Sequence, residues 1–292
     1  MIQTKGKPKM TAKIIDGKAI SAAERRKIAE ETAKLKSEHG IVPGLAVIIV
    51  GNNPASEIYV RNKHKACIEV GFNSWIYRLD ENASQDELNG LIDRLNADDN
   101  VHGILCQLPL PGGLSEEEVI DRISPKKDVD AFGMENVGRI MLGRYRFLPC
   151  TPAGIMLLLR EEGIDVGGKR AVVIGRSNIV GKPMAMLLLN SDATVTVCHS
   201  KTADLSEITR KADIIVCAVG KADFLKGDMI KPEAVVIDVG MNRNKDGKLC
   251  GDVDFDSAVK VASAITPVPG GVGPMTITML LRNTLTAATP GI

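Results

Sequence analysis

Tyr59 and Lys63 stand four residues apart in NNPASEIYVRNKHKACIEVG, so on a helix they share one face, with Ser56 a turn earlier. A phenol, an ammonium and a hydroxyl on one stripe can bind a polar substrate and move protons. Asn53-Pro54 reads as the start of that helix and Gly71 as its stop. Ile58, Ala66 and Val70 fall at core spacing on another side, and Lys65 reads as a solvated charge. Gln107 follows an apolar run and precedes Leu108-Pro109-Leu110-Pro111, where prolines end a strand and leave the amide projecting from its edge. In PKKDVDA, Asp128 and Asp130 alternate about Val129 and would share a face of an extended segment. No cluster of histidine or glutamate accompanies them, and His39, His64, His102 and His199 are dispersed, so no metal site is read. One carboxylate gripping a pair of substrate N–H groups is the more economical use.

A second group lies in RAVVIGRSNIVGKPMAMLLLN, which reads strand, glycine turn, helix. Gly175 and Gly181 flank the turn, and Ser177 replaces the middle glycine of a dinucleotide fingerprint. Pro183 stands where a Walker loop needs a magnesium-binding hydroxyl, which removes the mononucleotide reading. What remains is an ordinary βα turn or a variant dinucleotide turn with a phosphate at a helix start. The next strand, ATVTVC, favours the second. It ends in His199-Ser200-Lys201-Thr202, with no carboxylate before Asp204 to take ribose hydroxyls. Arg176, Ser200 and Lys201 instead supply cations and a hydroxyl suited to a 2′-phosphate, so the cofactor read here is NADP.

These residues need a scaffold of strands that end where chemistry begins. LAVIIV (45–50), VHGIL (101–105), RAVVIG (170–175), ATVTVC (193–198), DIIVCAVG (213–220) and AVVIDVG (234–240) read as strands. Helical stretches fall between them. Ser84 to Glu87 and Ser115 to Glu118 are capping boxes, the first followed by Leu88, Leu91, Ile92 and Leu95 at helical spacing. Thr151-Pro152 reads as a cap and first helical position. Such alternation means βαβ units and mostly parallel sheets. Residues 124–150, rich in glycine, proline and charge, read as the hinge between two units, and the helix over 275–288 need not belong to the second.

With 292 residues the chain is long enough for two domains, and 44% hydrophobic content suffices for a core in each. The 37 basic and 36 acidic residues balance to +1, which excludes a global field that would recruit nucleic acid or an anionic membrane. Six scattered cysteines without a C-x-x-C pair read as reduced thiols of a cytoplasmic protein. MIQTKGKPKM lacks the apolar run of a secretory signal and reads as a loose tail.

YVRNK (59–63), HGILCQLPLP (102–111), PKKDVDA (125–131), PCTPAG (149–154), VVIGRSNIVGKPMA (172–185) and TPVPGGVGPMT (266–276) resemble, in order, the signature blocks of bifunctional methylenetetrahydrofolate dehydrogenase/methenyltetrahydrofolate cyclohydrolases. The resemblance implies an α/β protein of two domains. An N-terminal parallel-sheet catalytic domain, residues 11–148 plus 274–292, would bind folate, and a Rossmann-like domain, 149–273, would bind NADP. It implies two consecutive reactions. A hydride passes from 5,10-methylenetetrahydrofolate to NADP, and water then converts the methenyl cation to 10-formyltetrahydrofolate. By the same resemblance Lys63 is the catalytic lysine, Gln107 its hydrogen-bond partner, Tyr59 a neighbour on the folate, and Asp130 the anchor of the pterin. Arg176 and Ser200 would hold the 2′-phosphate, while Gly175, Ser177 and Met241 line the rest of the cofactor. Gly271, Val272, Gly273 and Pro274 would border the folate. A homodimer through the cofactor domains is implied as well, with no nucleic acid or membrane partner. Because an ammonium opposes a cationic substrate, Lys63 is expected to be neutral or partnered during hydrolysis. Two positions depart from the family pattern: Ala131 replaces a glycine, and Cys106 replaces an aliphatic residue. If position 131 needs a positive φ, alanine costs on the order of 1 kcal/mol. The rival readings are a dehydrogenase without hydrolase activity, one preferring NAD, and a non-catalytic NADP sensor.

Overall fold

The computed structural model describes residues 12–291, so the N-terminal decapeptide read as a tail lies outside the described residues. In chain order the elements begin with β1 (Lys13–Ile14), α1 (Gly17–His39), β2 (Gly44–Val50), α2 (Pro54–Glu69) and β3 (Asn73–Leu79). Then come α3 (Gln85–Ala97), β4 (Gly103–Cys106), α4 (Glu116–Arg122), α5 (Met134–Met141) and α6 (Cys150–Glu161). The second half holds β5 (Arg170–Ile174), α7 (Gly181–Asn190), β6 (Thr194–Cys198), α8 (Leu205–Thr209), β7 (Ile214–Cys217) and β8 (Val235–Asp238). It ends with β9 (Asn242–Arg243), β10 (Leu249–Cys250), α9 (Phe255–Ala258), β11 (Ala264–Ile265) and α10 (Val272–Ala288). The chain forms two compact units. Among the described residues one comprises Ser21–Cys150 with 276–291, the other 12–20 with Thr151–Met275.

The first unit is built on a parallel sheet ordered β3-β2-β4. Every residue of β2, GLAVIIV, is buried, as a central parallel strand covered on both faces requires. Leu45, Val47 and Ile49 point into a core shared with Ile28, Val60 and Leu281, while Ala46, Ile48 and Val50 face Leu88, Leu91, Ile92 and Val119. The two capping boxes form: Ser84 accepts from the Glu87 amide at 3.2 Å and Ser115 from the Glu118 amide at 3.1 Å. The segment read as an aperiodic hinge contains a helix, α5. Helix α1 and strand β3 are also additional to the sequence reading.

The second unit carries a six-stranded parallel sheet, ordered β1-β11-β8-β7-β5-β6. Its order reverses at β5, which lies between β6 and β7. Residues 12–20 join this unit rather than the one read from residue 11, because Lys13 and Ile14 pair with Ala264 and Ile265 at the sheet edge. Helix α6 starts at Cys150, so Thr151 and Pro152 occupy its first turn rather than a cap and first position. Among the described residues no helix is long and apolar enough to cross a membrane.

Candidate active site

Helix α2 starts where Asn53 Oδ1 accepts the Ser56 amide at 3.2 Å, and it closes at Gly71, whose φ is +82°. Ser56, Val60, Ala66, Cys67 and Val70 form its buried stripe. Ile58, expected on that stripe, is 49% exposed, because position 58 falls between the buried positions 56 and 60 on the outer side of the helix. Tyr59 and Lys63 lie at the margin of the stripe, partly covered, and burial raises the Tyr59 phenol. Gln107 still donates its backbone amide to Ile48 at 2.9 Å, so it directly continues the β4 ladder. Its side-chain Nε2 donates to the Leu108 carbonyl at 2.7 Å, which turns Oε1 toward Lys63. Lys63 Nζ donates to that oxygen at 3.0 Å.

Asp128 and Asp130 part company. Asp128 pairs in parallel with Ile104 and is buried, its oxygens accepting from the amides of Phe132 and Gly133 and from Asn136 Nδ2 at 2.9–3.3 Å. It closes its own loop. Asp130 is less occupied: Cys150 Sγ lies 3.6 Å from Oδ1. Burial raises its pKa above the usual carboxylate range, and the Lys63 charge draws it back. Lys63, Gln107 and Asp130 therefore form one electrostatic group, with Tyr59 a helical turn from Lys63. Asn283 supports it from α10 by donating to the carbonyls of Val129 and Leu148 at 2.7 and 2.8 Å. Neither Cys150 nor Asn283 was singled out in the sequence, where one is a scattered thiol and the other an isolated amide in a helix. Ala131, between these carboxylates and α5, adopts a φ of +58° while fully buried. Among the described residues no group of three His, Cys, Asp or Glu could hold a metal ion.

In the other unit β5 runs into Gly175, whose φ of +126° suits glycine alone; a Cβ there would overlap the Ala218 carbonyl oxygen after β7. A Cβ at Gly181 would overlap the carbonyl oxygen of Gly175, so the second glycine lets α7 start against the strand end. Ser177 stands at the middle-glycine position and ties the turn before α7: its Oγ accepts the Val180 and Gly181 amides at 3.2 and 3.3 Å. The Gly175 amide donates to Cys198 at 2.9 Å. Arg176 and Ser200 consequently leave the carboxyl ends of adjacent strands, and both are exposed. Thr202 Oγ1 and His199 Nδ1 accept the amides of His199 and Lys201 and hold this turn. Met241 is 53% exposed beyond the carboxyl end of β8. Gly271 and Val272 are buried at the start of α10, Gly273 is exposed and Pro274 half-buried; a Cβ on Gly17 would overlap the Gly271 carbonyl.

The residues fit NADP on their own geometry. Ligands of open parallel sheets bind beyond the carboxyl ends of strands where the order reverses, and Gly175 lies at that point, between the ends of β6 and β7. An arginine, a serine and a lysine, and no carboxylate, occupy the end of β6 and the neighbouring turn.

The family profile described as tetrahydrofolate dehydrogenase/cyclohydrolase, catalytic domain, matches residues 15–130, and the corresponding NAD(P)-binding domain matches 149–290. Bifunctional protein FolD of Acetivibrio thermocellus is 60% identical over 279 residues, covering 96% of this chain and 98% of its own. The crystal structure of the bifunctional enzyme FolD from Campylobacter jejuni superposes with a TM-score of 0.93 at 54% identity, over 95% of this chain and 98% of that one. The methylenetetrahydrofolate dehydrogenase-cyclohydrolase of Trypanosoma brucei, solved with NADP and an inhibitor, gives 0.91 at 43% identity, over 95% and 97%. The chain belongs to the tetrahydrofolate dehydrogenase/cyclohydrolase family.

Proposed function

We propose that Lys63, Gln107, Asp130 and Tyr59 carry the chemistry of a bifunctional folate enzyme. The first reaction is the NADP-dependent oxidation of 5,10-methylenetetrahydrofolate to the methenyl cation, and the second is hydrolysis of that cation to 10-formyltetrahydrofolate. The observation that supports it best is the 3.0 Å hydrogen bond from Lys63 to Gln107 beside the raised carboxyl of Asp130.

NADP supplies the hydride acceptor when bound. The bridge carbon becomes cationic as its hydrogen departs with the electron pair, and the adjacent folate nitrogens carry that charge. In the second reaction water adds to the bridge carbon and loses a proton, and the bond from carbon to N5 then breaks as N5 gains one. Lys63 Nζ is the group that takes the first proton and returns the second. Gln107 holds Nζ through a neutral acceptor and so adds no charge opposing or trapping the cation. Asp130 receives the pterin N–H groups, with Tyr59 beside the ring and Gly271, Val272, Gly273 and Pro274 bordering the folate. Arg176 and Ser200 take the 2′-phosphate; Gly175, Ser177 and Met241 line the remainder. Of the folate-binding domain read as 11–148 plus 274–292, residues 21–148 with 274–292 keep that role, and 149–273, with 12–20 on the edge of its sheet, act as the Rossmann-like cofactor domain.

The same reading includes a homodimer through the cofactor domains. Its support is β6, an edge strand with exposed residues on both faces, Val197 being 39% exposed. Six unpaired cysteines support a cytoplasmic setting, where thiols stay reduced. The test is a paired assay on methylenetetrahydrofolate, measuring reduced cofactor and 10-formyl product with NADP and with NAD. Both products with a preference for NADP are expected. Reduced cofactor without formyl product would leave a dehydrogenase alone, and NAD preference would remove the role of Arg176.

A further inference from the structure

Two buried carboxylates in the cofactor unit have no part in the chemistry above. Asp238 closes β8 and Asp252 follows β10; they are 3% and 0% exposed, and among the described residues neither makes an ion pair. Their charge is met by backbone donors instead. Asp252 Oδ2 accepts the amides of Val219 and Gly220 at 2.6 and 3.0 Å, and Oδ1 accepts the Lys221 amide at 2.9 Å and Asn242 Nδ2 at 2.8 Å. Asp238 accepts the amides of Gly240, Asp252 and Val253 at 2.9–3.0 Å. Glycines clear the space: a Cβ at Gly251 would overlap an Asp238 oxygen, and one at Gly240 would overlap Asp252.

The segments tied in this way follow β7 and β8, next to the glycine turn. Val219 N–H points at Asp252, and a trans peptide directs the carbonyl of the same plane, that of Ala218, the opposite way. That carbonyl is the one that occupies the space a Gly175 side chain would need. One peptide plane thus links the Asp252 carboxylate to the residue that opens the dinucleotide turn. On the other side Met241 sits between Gly240, held by Asp238, and Asn242, held by Asp252. Burying a carboxylate is expensive in solvation, and an apolar turn of the same shape would avoid that expense. The carboxylate fixes several amides in one direction, which a hydrophobic side chain does not do.

We propose that Asp252 is a positioning residue for NADP, setting the 218–221 segment against the glycine turn and, through Asn242, the Met241 segment. The proposal rests on the functional reading above. Asp252→Asn tests it, because an amide nitrogen must then confront at least one backbone N–H. In the full chain this variant is expected to bind NADP at least tenfold more weakly by calorimetry. Amide exchange at residues 219–221 is expected to be faster in the cofactor-free protein. Dehydrogenase activity should lose in KM for NADP while kcat at saturation stays within threefold, with methenyltetrahydrofolate hydrolysis, assayed without NADP, as the internal reference. NADP affinity within twofold of wild type, or kcat and hydrolysis falling along with the rise in KM, overturns the proposal. If Asp252→Asn does not fold, Asn242→Ala decides: threefold or greater weakening of NADP binding supports the proposal, and unchanged binding overturns it. Absence of NADP binding by the wild-type chain would sink the functional reading and this inference with it, whereas wild-type binding with an unaltered variant sinks the inference alone.

Discussion

Lys63 Nζ and Gln107 Oε1 meet across 3.0 Å although 44 residues separate them in the chain, one on a helix and the other at a strand end. Gln107 is anchored twice, by its backbone to β2 and by its own amide to Leu108, so Lys63 has a fixed partner rather than a solvated one. Lys63→Met should lower methenyltetrahydrofolate hydrolysis by about 10²-fold or more, the ordinary worth of a general acid–base group. NADP binding should stay within twofold. Gln107→Leu should reduce hydrolysis about tenfold by releasing Nζ. Rates on isolated methenyltetrahydrofolate check both, and unchanged hydrolysis by Lys63→Met would remove the lysine from the mechanism.

The pterin contact proposed for Asp130 predicts a pH handle on folate binding. Burial lifts its carboxyl above the usual range, with Lys63 opposing that rise. The KM for folate is therefore expected to climb, as pH falls, sooner than an ordinary carboxylate would dictate. In Lys63→Met the climb should begin at a higher pH, since the opposing charge is gone. Asp130→Asn should raise KM by about 10- to 100-fold, matching a charged hydrogen bond of roughly 1.5–3 kcal/mol. Initial-rate profiles of the three proteins between acid and neutral pH decide this.

Arg176 is exposed at the end of β5, so the contact proposed for it with a 2′-phosphate would be partly screened by water. Arg176→Gln is expected to raise KM for NADP by about tenfold. KM for NAD, which lacks the 2′-phosphate, should change by less than about threefold. Equal effects on the two cofactors would contradict the assignment.

Asp238 titrates in an unusual place: burial pushes it up to about 6, against the three amides that favour its charge. Between its unfolded value near 4 and about 6, the folded chain holds a proton that the unfolded chain has released. Stability is then greatest below that window, and this contribution falls away as pH rises through it. At about 1.4 kcal/mol per pH unit the contribution is on the order of 3 kcal/mol. The carboxyl ¹³C shift of Asp238 measures the midpoint directly, and a value near 4 would refute the account.

Local chemistry was legible in the sequence wherever neighbouring residues decide the outcome. The apolar run of β2, the Ser84 and Ser115 caps, the glycine turn at 175–181 and the basic end of β6 all follow from side-chain types within a few positions. The Tyr59–Lys63 stripe is of the same kind, since helical periodicity alone puts both on one face. Helix α1 escaped because three positions of its buried stripe, Ser21, Glu24 and Thr32, are polar, and β3 because its burial is only partial along its length. Alternation predicted a shared face for Asp128 and Asp130. Tertiary structure separated them, because Asp128 met the amides of its own loop and Asp130 met Cys150 and the field of Lys63. Ser177 reads as a lost glycine, and in the structure its hydroxyl instead ties the turn by accepting the Val180 and Gly181 amides. The membership of residues 12–20 in the six-stranded sheet's unit has no local signal, since a two-residue edge strand is defined only by its partner. Asp252 is the clearest case. Its three backbone donors lie more than thirty residues upstream, and only the closing of β7, β8 and β10 into one region brings them to a single carboxylate.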